Sequence, residues 1–167
     1  LFFTVFIILD EFRTHNFPDL IQGTDGHPEC LDCGRVIWSD PKLAAAAIIP
    51  FDNGIVLVQR AIEPAVGKWS FPSGYVNRGE IVEKAIEREA LEECGLQVSV
   101  VKLIGLYSEQ NNPVVLAIYE ANVIGGTLQS ADDETLDVRV FPFNKLPELA
   151  FEHDQRILTD WLISQDV

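Results

Sequence analysis

The segment from Glu80 to Cys94 limits the possible folds and functions of this chain most strongly. Its pattern predicts a helix whose buried stripe ends in carboxylates. With 3.6 residues per turn, one stripe of the helix begins with three apolar residues: Val82, Ala85 and Ile86. In steps of three and four, the same stripe ends with three acidic residues: Glu89, Glu92 and Glu93. A helix that packs on a sheet normally keeps such a stripe apolar. We therefore expect three carboxylates beside the protein interior.

Carboxylates crowded into two helical turns repel one another, and each raises the pKa of its neighbours. A cation that neutralises them would stabilise the arrangement. Mg²⁺ binds a few carboxylates together with several waters and substrate phosphates. The alternative is a solvated acidic helix face that binds nothing.

The spacing of the flanking residues favours metal binding. Gly74 and Glu80 are separated by five residues, and seven more residues lead to Arg88-Glu89, which Glu92-Glu93 and Gly95 follow. This pattern resembles the Nudix box: Gly, five residues, Glu, seven residues, Arg-Glu, an aliphatic residue, any residue, Glu-Glu, any residue, Gly, an aliphatic residue. All seven fixed positions match, which chance would give about once in 10⁹ start positions. The one departure is Ala90, where a larger aliphatic residue is usual.

The resemblance to the Nudix hydrolase family implies the fold and the metal ligands. The fold is an α/β (α+β) arrangement, a Nudix-type α/β/α sandwich with a mixed β-sheet, in which the box forms a loop–helix–loop. Mg²⁺ or Mn²⁺ is expected on four groups: the carboxylates of Glu89, Glu92 and Glu93 and the backbone carbonyl of Gly74. Arg88 is expected to pair with box glutamates, including Glu80, and to orient them. Gly95, like Gly74, lets the backbone turn tightly beside the metal.

The resemblance also implies the reaction, which is hydrolysis of the diphosphate bond of a nucleoside diphosphate linked to another group. Bound cations activate the attacking water, and a glutamate accepts its proton. This base is a box glutamate in some family members and a glutamate on a distant loop in others. Glu134 is the loop candidate here, and its alternative interpretation is a solvated turn carboxylate.

The Nudix domain is expected over residues 42–167, after an N-terminal appendage over residues 1–41. Five strands are predicted before a C-terminal helix: Leu43–Phe51, Ile55–Val58, Val98–Tyr107, Val114–Val123 and Leu136–Phe141. Residues 1–9 are apolar but too few to span a bilayer, which takes about 20 residues. We expect them to form a buried strand or an assembly surface, and no membrane span.

Cys30 and Cys33 lie in a segment that resembles the second half of a zinc ribbon, which precedes the Nudix domain in a subgroup acting on NADH, FAD or ADP-ribose. The first Cys-x-x-Cys pair is missing, so the appendage is degenerate in this respect. Zinc takes four ligands, and here it would need His15, His27 or a second subunit. Two reduced thiols in a structural turn are the alternative.

Downstream residues bear on the substrate. The Ser-Gln-Pro-Trp-Pro-Phe-Pro array of NADH pyrophosphatases is absent, whereas a proline after the box, here Pro113, is associated with ADP-ribose hydrolases. Aromatic rings that could stack on a nucleobase are found at four positions, each of which also suits the core: Phe51, Trp69, Tyr75 and Tyr107. We therefore expect ADP-ribose or a similar ADP-linked sugar. NADH, FAD or nucleoside triphosphate cleavage, or a non-catalytic ADP-ribose sensor, is the alternative.

The net charge of −14, from 26 acidic and 12 basic side chains, argues against a nucleic-acid partner. The same charge would repel an anionic nucleotide unless a bound cation reversed the local sign. Three cysteines form no disulfide framework, which favours the cytoplasm. The expected partner is a small-molecule nucleotide, and a homodimer is left open.

Overall fold

The computed structural model describes residues 20–23, 27–38, 41–130 and 133–165. The chain divides into two compact units between residues 40 and 41. The apolar run at residues 1–9 and His15 lie outside the described residues. Within the described part, no helix is long and apolar enough to cross a membrane.

The first unit contains a short antiparallel pair, β1 (Leu20–Gln22) and β2 (Pro28–Cys30). A tight turn follows β2, in which the Gly34 N–H donates to the Cys30 carbonyl at 2.9 Å. Gly34 adopts a φ of 65° there.

The second unit is built from eight strands and two helices. They are β3 (Lys42–Ile48), β4 (Pro50–Phe51), β5 (Gly54–Arg60), β6 (Trp69–Ser70), β7 (Ser73–Tyr75), α1 (Val82–Cys94), β8 (Leu96–Ser108), β9 (Val114–Gly126), β10 (Thr135–Pro142) and α2 (Glu152–Ile163). One sheet has the order β7-β3-β9-β8, and β3 runs parallel to β9 but antiparallel to β7. The other has the order β10-β5-β4, with β6 also paired to β5. The predicted mixed sheet is therefore confirmed.

After Lys42, strand β3 is apolar because both of its faces are buried from Ala45 onwards, as in other internal parallel strands. Ala45 and Ala47 join the core that contains Ile86 of α1. Ala46 and Ile48 join the core that contains residues of α2. With one helix on each side of the strands, the layers form the predicted α/β/α sandwich.

Helix α1 begins at Val82, two residues later than the sequence predicts. Ile81 is extended, with φ −75° and ψ 132°, and the Glu80 carboxylate instead accepts the Asn77 N–H at 2.8 Å. The helix ends as predicted at Gly95, which has a φ of 68°. A Cβ at Gly95 would lie 2.6 Å from the Thr127 carbonyl oxygen, so both the backbone conformation and the space favour glycine.

Helix α2 buries Ile157, Leu158 and Trp161. Leu162, which the sequence places in the same stripe, is 48% exposed. It lies about 90° around the helix from the centre of the buried face, so it falls at the edge of the contact.

The beginning of α2 buries a carboxyl group. Asp154 is 2% exposed, and its Oδ2 accepts the Phe151 N–H at 3.0 Å. Burial raises the pKa of Asp154 to about 6, against the opposing effect of the Phe151 hydrogen bond. The neutral acid is therefore favoured over a wider pH range than in an exposed aspartate.

Replacing Gly95 by alanine is expected to destabilise the fold more than the same change at Gly67. Both residues have a left-handed φ, of 68° and 81°, but a Cβ at Gly67 meets nothing within 4 Å. Each variant should lose about 1–2 kcal/mol for the backbone conformation, and Gly95→Ala should lose more because of the Thr127 oxygen. Urea unfolding measures both losses, and equal losses would contradict this account of the turn.

Replacing Asp154 by asparagine is expected to change how the free energy of unfolding depends on pH. The Asp154 pKa rises from 3.8 to about 6 on folding, so the stabilisation present below pH 3.8 is lost as the pH rises through about 6. The loss is at most about 3 kcal/mol. Asparagine keeps an acceptor for the Phe151 N–H but does not titrate. Urea unfolding from pH 4 to pH 7.5 should show this component in the parent only, whereas parallel profiles would contradict the raised pKa.

Candidate active site

A cavity of about 980 Å³ in the second unit collects most of the residues that the sequence singles out. Those that line it are Gly74, Tyr75, Arg88, Glu89, Glu92, Glu93, Tyr107 and Glu134. The carboxylates of α1 thus meet the β7 backbone and the loop before β10 at one cavity. The structure brings these predicted site residues together.

Arg88 is the centre of a hydrogen-bond network with three glutamates. Its Nε donates to Glu80 Oε1 at 2.9 Å. Its Nη1 donates to Glu89 Oε1 at 2.6 Å and to Glu92 Oε2 at 2.9 Å. Its Nη2 donates to Glu80 Oε2 at 3.2 Å and to the Tyr75 carbonyl at 3.2 Å. One planar guanidinium therefore holds the loop before α1 and the helix itself in a fixed relation.

The network shifts the pKa values of its members in different directions. Hydrogen bonds from Arg88 and from the Asn77 backbone lower the pKa of Glu80 to about 2. The Glu80 hydrogen bonds raise the pKa of Arg88. Burial raises the pKa of Glu89, Arg88 opposes this rise, and the charges of Glu92 and Glu134 add to it. Glu80 therefore stays ionised, while Glu89 holds a proton more readily than an exposed glutamate does.

Glu93 and Glu89 both lie against strand β7. Glu93 is 8% exposed, and its Oε2 accepts the Ser73 N–H at 2.8 Å. A Cβ at Gly74 would collide with the Glu89 carboxylate. Glycine at position 74 is therefore required so that the Glu89 carboxylate can approach the backbone.

Glu134 lies at the same cavity although it is far from the box in sequence. The backbone carbonyl of Glu134 accepts the Ala61 N–H at 2.8 Å, which ties this loop to the end of β5. Its charge is close enough to Glu89 to raise the pKa of that residue. A carboxylate in this place faces the box carboxylates.

The donor set fits a hard divalent cation in its chemistry. Carboxylates on one helix face lie beside the Gly74 backbone, and oxygen ligands of this kind suit Mg²⁺ or Mn²⁺. Glu89 and Glu92 are hydrogen-bonded to Arg88, and Glu93 to the Ser73 N–H. In this arrangement, no group of three His, Cys, Asp or Glu side chains among the described residues is placed to hold a metal ion.

The cysteines of the first unit are free thiols. Cys30 is buried and Cys33 is exposed. Hydrogen bonds from the backbone of Cys33 and of Asp32 lower the pKa of the Cys30 thiol. The His27 ring contacts the Trp38 ring at a tilt of 50°, with ring centroids 4.6 Å apart. A zinc site at Cys30 and Cys33 stays a prediction.

The four aromatic candidates separate into two groups. Tyr75 and Tyr107 line the cavity, and the Tyr107 hydroxyl donates to Asp160 at 2.8 Å. Phe51 and Trp69 are not among the lining residues. Phe51 packs against the core that contains α1. Trp69 packs edge-on against Phe141 in the other core, because β6 places its ring between the sheet and α2.

Sequence reasoning missed a part of the cavity wall that lies outside the box. It is formed by Arg60 at the end of β5, by Ser70 of β6 and by the beginning of α2, where Phe151, His153 and Asp154 line the space. The Arg60 guanidinium lies 5.2 Å from the centre of the Phe151 ring, and the His153 ring stacks on Phe151. The only signal in the sequence for this segment is the polar run Glu152-His153-Asp154, which comes before the apolar stripe of α2.

Known proteins resemble this chain in sequence and in fold. Residues 41–162 match the profile of a family described as NUDIX domain. An ADP-ribose pyrophosphatase of Methanocaldococcus jannaschii is 37% identical over 130 residues, which are 75% of this chain and 76% of that protein. An NAD-capped RNA hydrolase, NudC, of Pseudomonas aeruginosa is 30% identical over 125 residues, which are 72% of this chain but 43% of that protein.

Two solved structures extend the comparison to three dimensions. A NUDIX hydrolase from Nitrosomonas europaea has a TM-score of 0.78 and 25% identity, and the match covers 89% of this chain and 86% of that one. An ADP-ribose pyrophosphatase from Streptococcus suis has a TM-score of 0.64 and 26% identity, with 75% and 92% covered. The chain therefore belongs to the NUDIX family, as the sequence predicts, and is a pyrophosphohydrolase.

Proposed function

We propose that this enzyme hydrolyses the diphosphate bond of ADP-ribose or a similar ADP-linked sugar, with Mg²⁺ or Mn²⁺ as the cofactor. The observation that carries the proposal is the cavity of about 980 Å³ in which Glu89, Glu92 and Glu93 face Glu134. Its volume suits a nucleotide-sized ligand. Ala46, Phe71 and Leu116 also line the cavity, so it offers apolar surface to the groups that the diphosphate joins.

The similarity to ADP-ribose pyrophosphatases supports this choice of substrate. The relative from Methanocaldococcus jannaschii carries that name and is matched over about three quarters of both chains. The Streptococcus suis structure carries the same name and the same fold. Tyr75 and Tyr107 at the cavity supply ring surface of the kind that contacts nucleobases and sugars.

The residues proposed to hold the cation are Glu89, Glu92, Glu93 and the carbonyl of Gly74. A bound divalent cation would neutralise the diphosphate and lower the pKa of the attacking water. Arg88 positions Glu89 and Glu92 through its Nη1 atom. The Ser73 N–H fixes one oxygen of Glu93, so the other oxygen keeps a defined direction.

Glu134 is proposed as the group that accepts the proton of the attacking water. It lines the same cavity as the α1 carboxylates, its charge acts on Glu89, and its loop is anchored to β5 through Ala61. The water oxygen bonds to one phosphorus atom as the bridging P–O bond breaks, and the leaving phosphate takes the bridging oxygen. For ADP-ribose the products are AMP and ribose 5-phosphate.

Cleavage of NAD(H) diphosphates is the second candidate, and the similarity to NudC favours it. That relative is more than twice as long as the matched segment, since the match covers 43% of it. The sequence lacks the Ser-Gln-Pro-Trp-Pro-Phe-Pro array, so ADP-ribose is preferred here. A homodimer and the zinc-ribbon-like character of residues 1–41 are proposed on the resemblance to the family, and a cytoplasmic location on three cysteines that make no disulfide framework.

A substrate panel tests the proposed function directly. With Mg²⁺ present, ADP-ribose should give AMP and ribose 5-phosphate with a higher kcat/KM than NADH, FAD, diadenosine polyphosphates or nucleoside triphosphates. Chelation with EDTA should abolish turnover because the carboxylate end then repels the diphosphate. Phosphorus NMR and chromatography measure the products. If no member of the panel were cleaved, the proposed function would be wrong.

Replacing Glu93 by glutamine is expected to lower kcat/KM by roughly 10²- to 10⁴-fold. Glutamine keeps an acceptor for the Ser73 N–H but loses the charge that would bind the cation. Glu87→Gln is the matched control, because Glu87 lies on the same helix, pairs with Lys84 at 2.6 Å and is not among the residues of the cavity. Both variants should melt near the parent temperature. Equal activity of the two would contradict the role of Glu93.

A further inference from the structure

The hydroxyl of Ser70 is an unusual group in the wall of the cavity. Ser70 is 3% exposed and lines the cavity, yet its Oγ has no hydrogen-bond partner within the described part of the chain. Buried polar groups are nearly always hydrogen-bonded, because leaving one unsatisfied costs free energy. A substrate atom that bonds to Ser70 would remove this cost.

Ser70 lies at the end of the cavity where α2 begins. The Trp69 carbonyl, one residue before Ser70, accepts the Ala150 N–H at 2.7 Å. Phe151 follows at once, and its N–H donates to Asp154 Oδ2 at 3.0 Å. Asp154 also lines the cavity and is 2% exposed. The strand that carries Ser70 is therefore tied by backbone contacts to the segment that carries Asp154.

The short stretch of chain from Ser70 to Ser73 limits the distance between Ser70 and the α1 carboxylates. Ser73, whose N–H bonds to Glu93 at 2.8 Å, is three residues after Ser70. An extended chain spans at most about 10 Å over that distance. In a nucleotide, a single sugar separates the phosphates from the base. A diphosphate placed at the carboxylates can therefore bring its base to Ser70.

Part of the cavity wall is apolar. Ala46 of β3, Val58 of β5 and Leu116 of β9 line it, together with Phe71. Val58 pairs with Ser70 in the sheet, so the hydroxyl is set in an apolar surface. Such a surface with a few fixed polar groups suits a planar heterocycle, which stacks on its faces and hydrogen-bonds at its edge.

We propose that Ser70 is a specificity-determining residue, whose hydroxyl hydrogen-bonds to the edge of the substrate's nucleobase in the cavity that Asp154 also lines. This inference rests on the proposed function, since it takes the diphosphate to be at the α1 carboxylates. A hydroxyl both donates and accepts, so the contact selects for a base with a polar edge over a substrate that has no base.

Calorimetric binding of AMP and of ribose 5-phosphate, with Mg²⁺ present, tests the proposal on the full chain. Ser70→Ala should weaken AMP binding roughly 3- to 10-fold, the loss of one hydrogen bond. It should leave ribose 5-phosphate binding unchanged. With ADP-ribose as substrate, KM should rise while kcat is retained, since the cleaved bond is at the other end.

Thr135→Val is the matched control. Thr135 is 6% exposed and its Oγ1 is the second buried side-chain atom without a partner in the described residues, but Thr135 is not a lining residue of the cavity. Both variants delete one buried hydroxyl, so both should fold, and only Ser70→Ala should change AMP binding. Ser70→Thr, which restores a hydroxyl, should recover part of the affinity.

The outcomes separate this inference from the proposed function. If the parent cleaves ADP-ribose but Ser70→Ala binds AMP as the parent does, the role of Ser70 is wrong and the function stands. An equal loss for AMP and ribose 5-phosphate would also contradict a contact with the base. If the parent neither cleaves ADP-ribose nor binds AMP, both proposals fail.

Discussion

The rest of the structure depends on how one arginine neutralises the acidic end of a helix. Arg88 bonds to Glu80 in the loop before α1 and to Glu89 and Glu92 on the helix. Without the positive charge of the Arg88 guanidinium, the carboxylates would repel one another and could not pack beside β7. The planar fork of arginine suits this task, since several carboxylates can bond to it in one plane. The box loop, α1 and β7 are thereby fixed as one unit.

The second constraint is the small side chains of β3. Ala45 and Ala47 face the core under α1, whereas Ala46 faces the core under α2 and also borders the cavity. A larger residue at Ala46, or at Ala44, which also lines the cavity, would bury more apolar surface but would fill the space that a substrate needs. Alanine at the cavity-lining positions of β3 therefore buries less apolar surface than a larger residue would, but it keeps the cavity open.

Beyond the box, the sequence pointed to two further residues of the cavity lining, Tyr107 and Glu134. The spacing from Gly74 to Gly95 is short-range, so it predicts α1 and its glycine stop without knowledge of the fold, and the family resemblance that this spacing carries implies the pairing of Arg88 with Glu80. Another part of the wall comes from β6 and the beginning of α2, two segments that the hydrogen bond from the Ala150 N–H to the Trp69 carbonyl joins. Such a pairing depends on the whole sheet, which no local pattern encodes. For Trp69 the local pattern leaves a stacking role and a place in the core open, and only the fold puts its ring in the core.

The charges at the box and the polar groups beside the beginning of α2 are expected to contribute differently to substrate binding. At the box, a single guanidinium faces four carboxylates, Glu80, Glu89, Glu92 and Glu93, so this end repels a diphosphate until further positive charge is bound. Once the sign is reversed, the attraction is the same for every diphosphate, because it depends on charge and not on the attached groups. Discrimination among nucleotides therefore has to come from short-range contacts away from the box. The buried polar groups beside the beginning of α2 are in the right place to supply them.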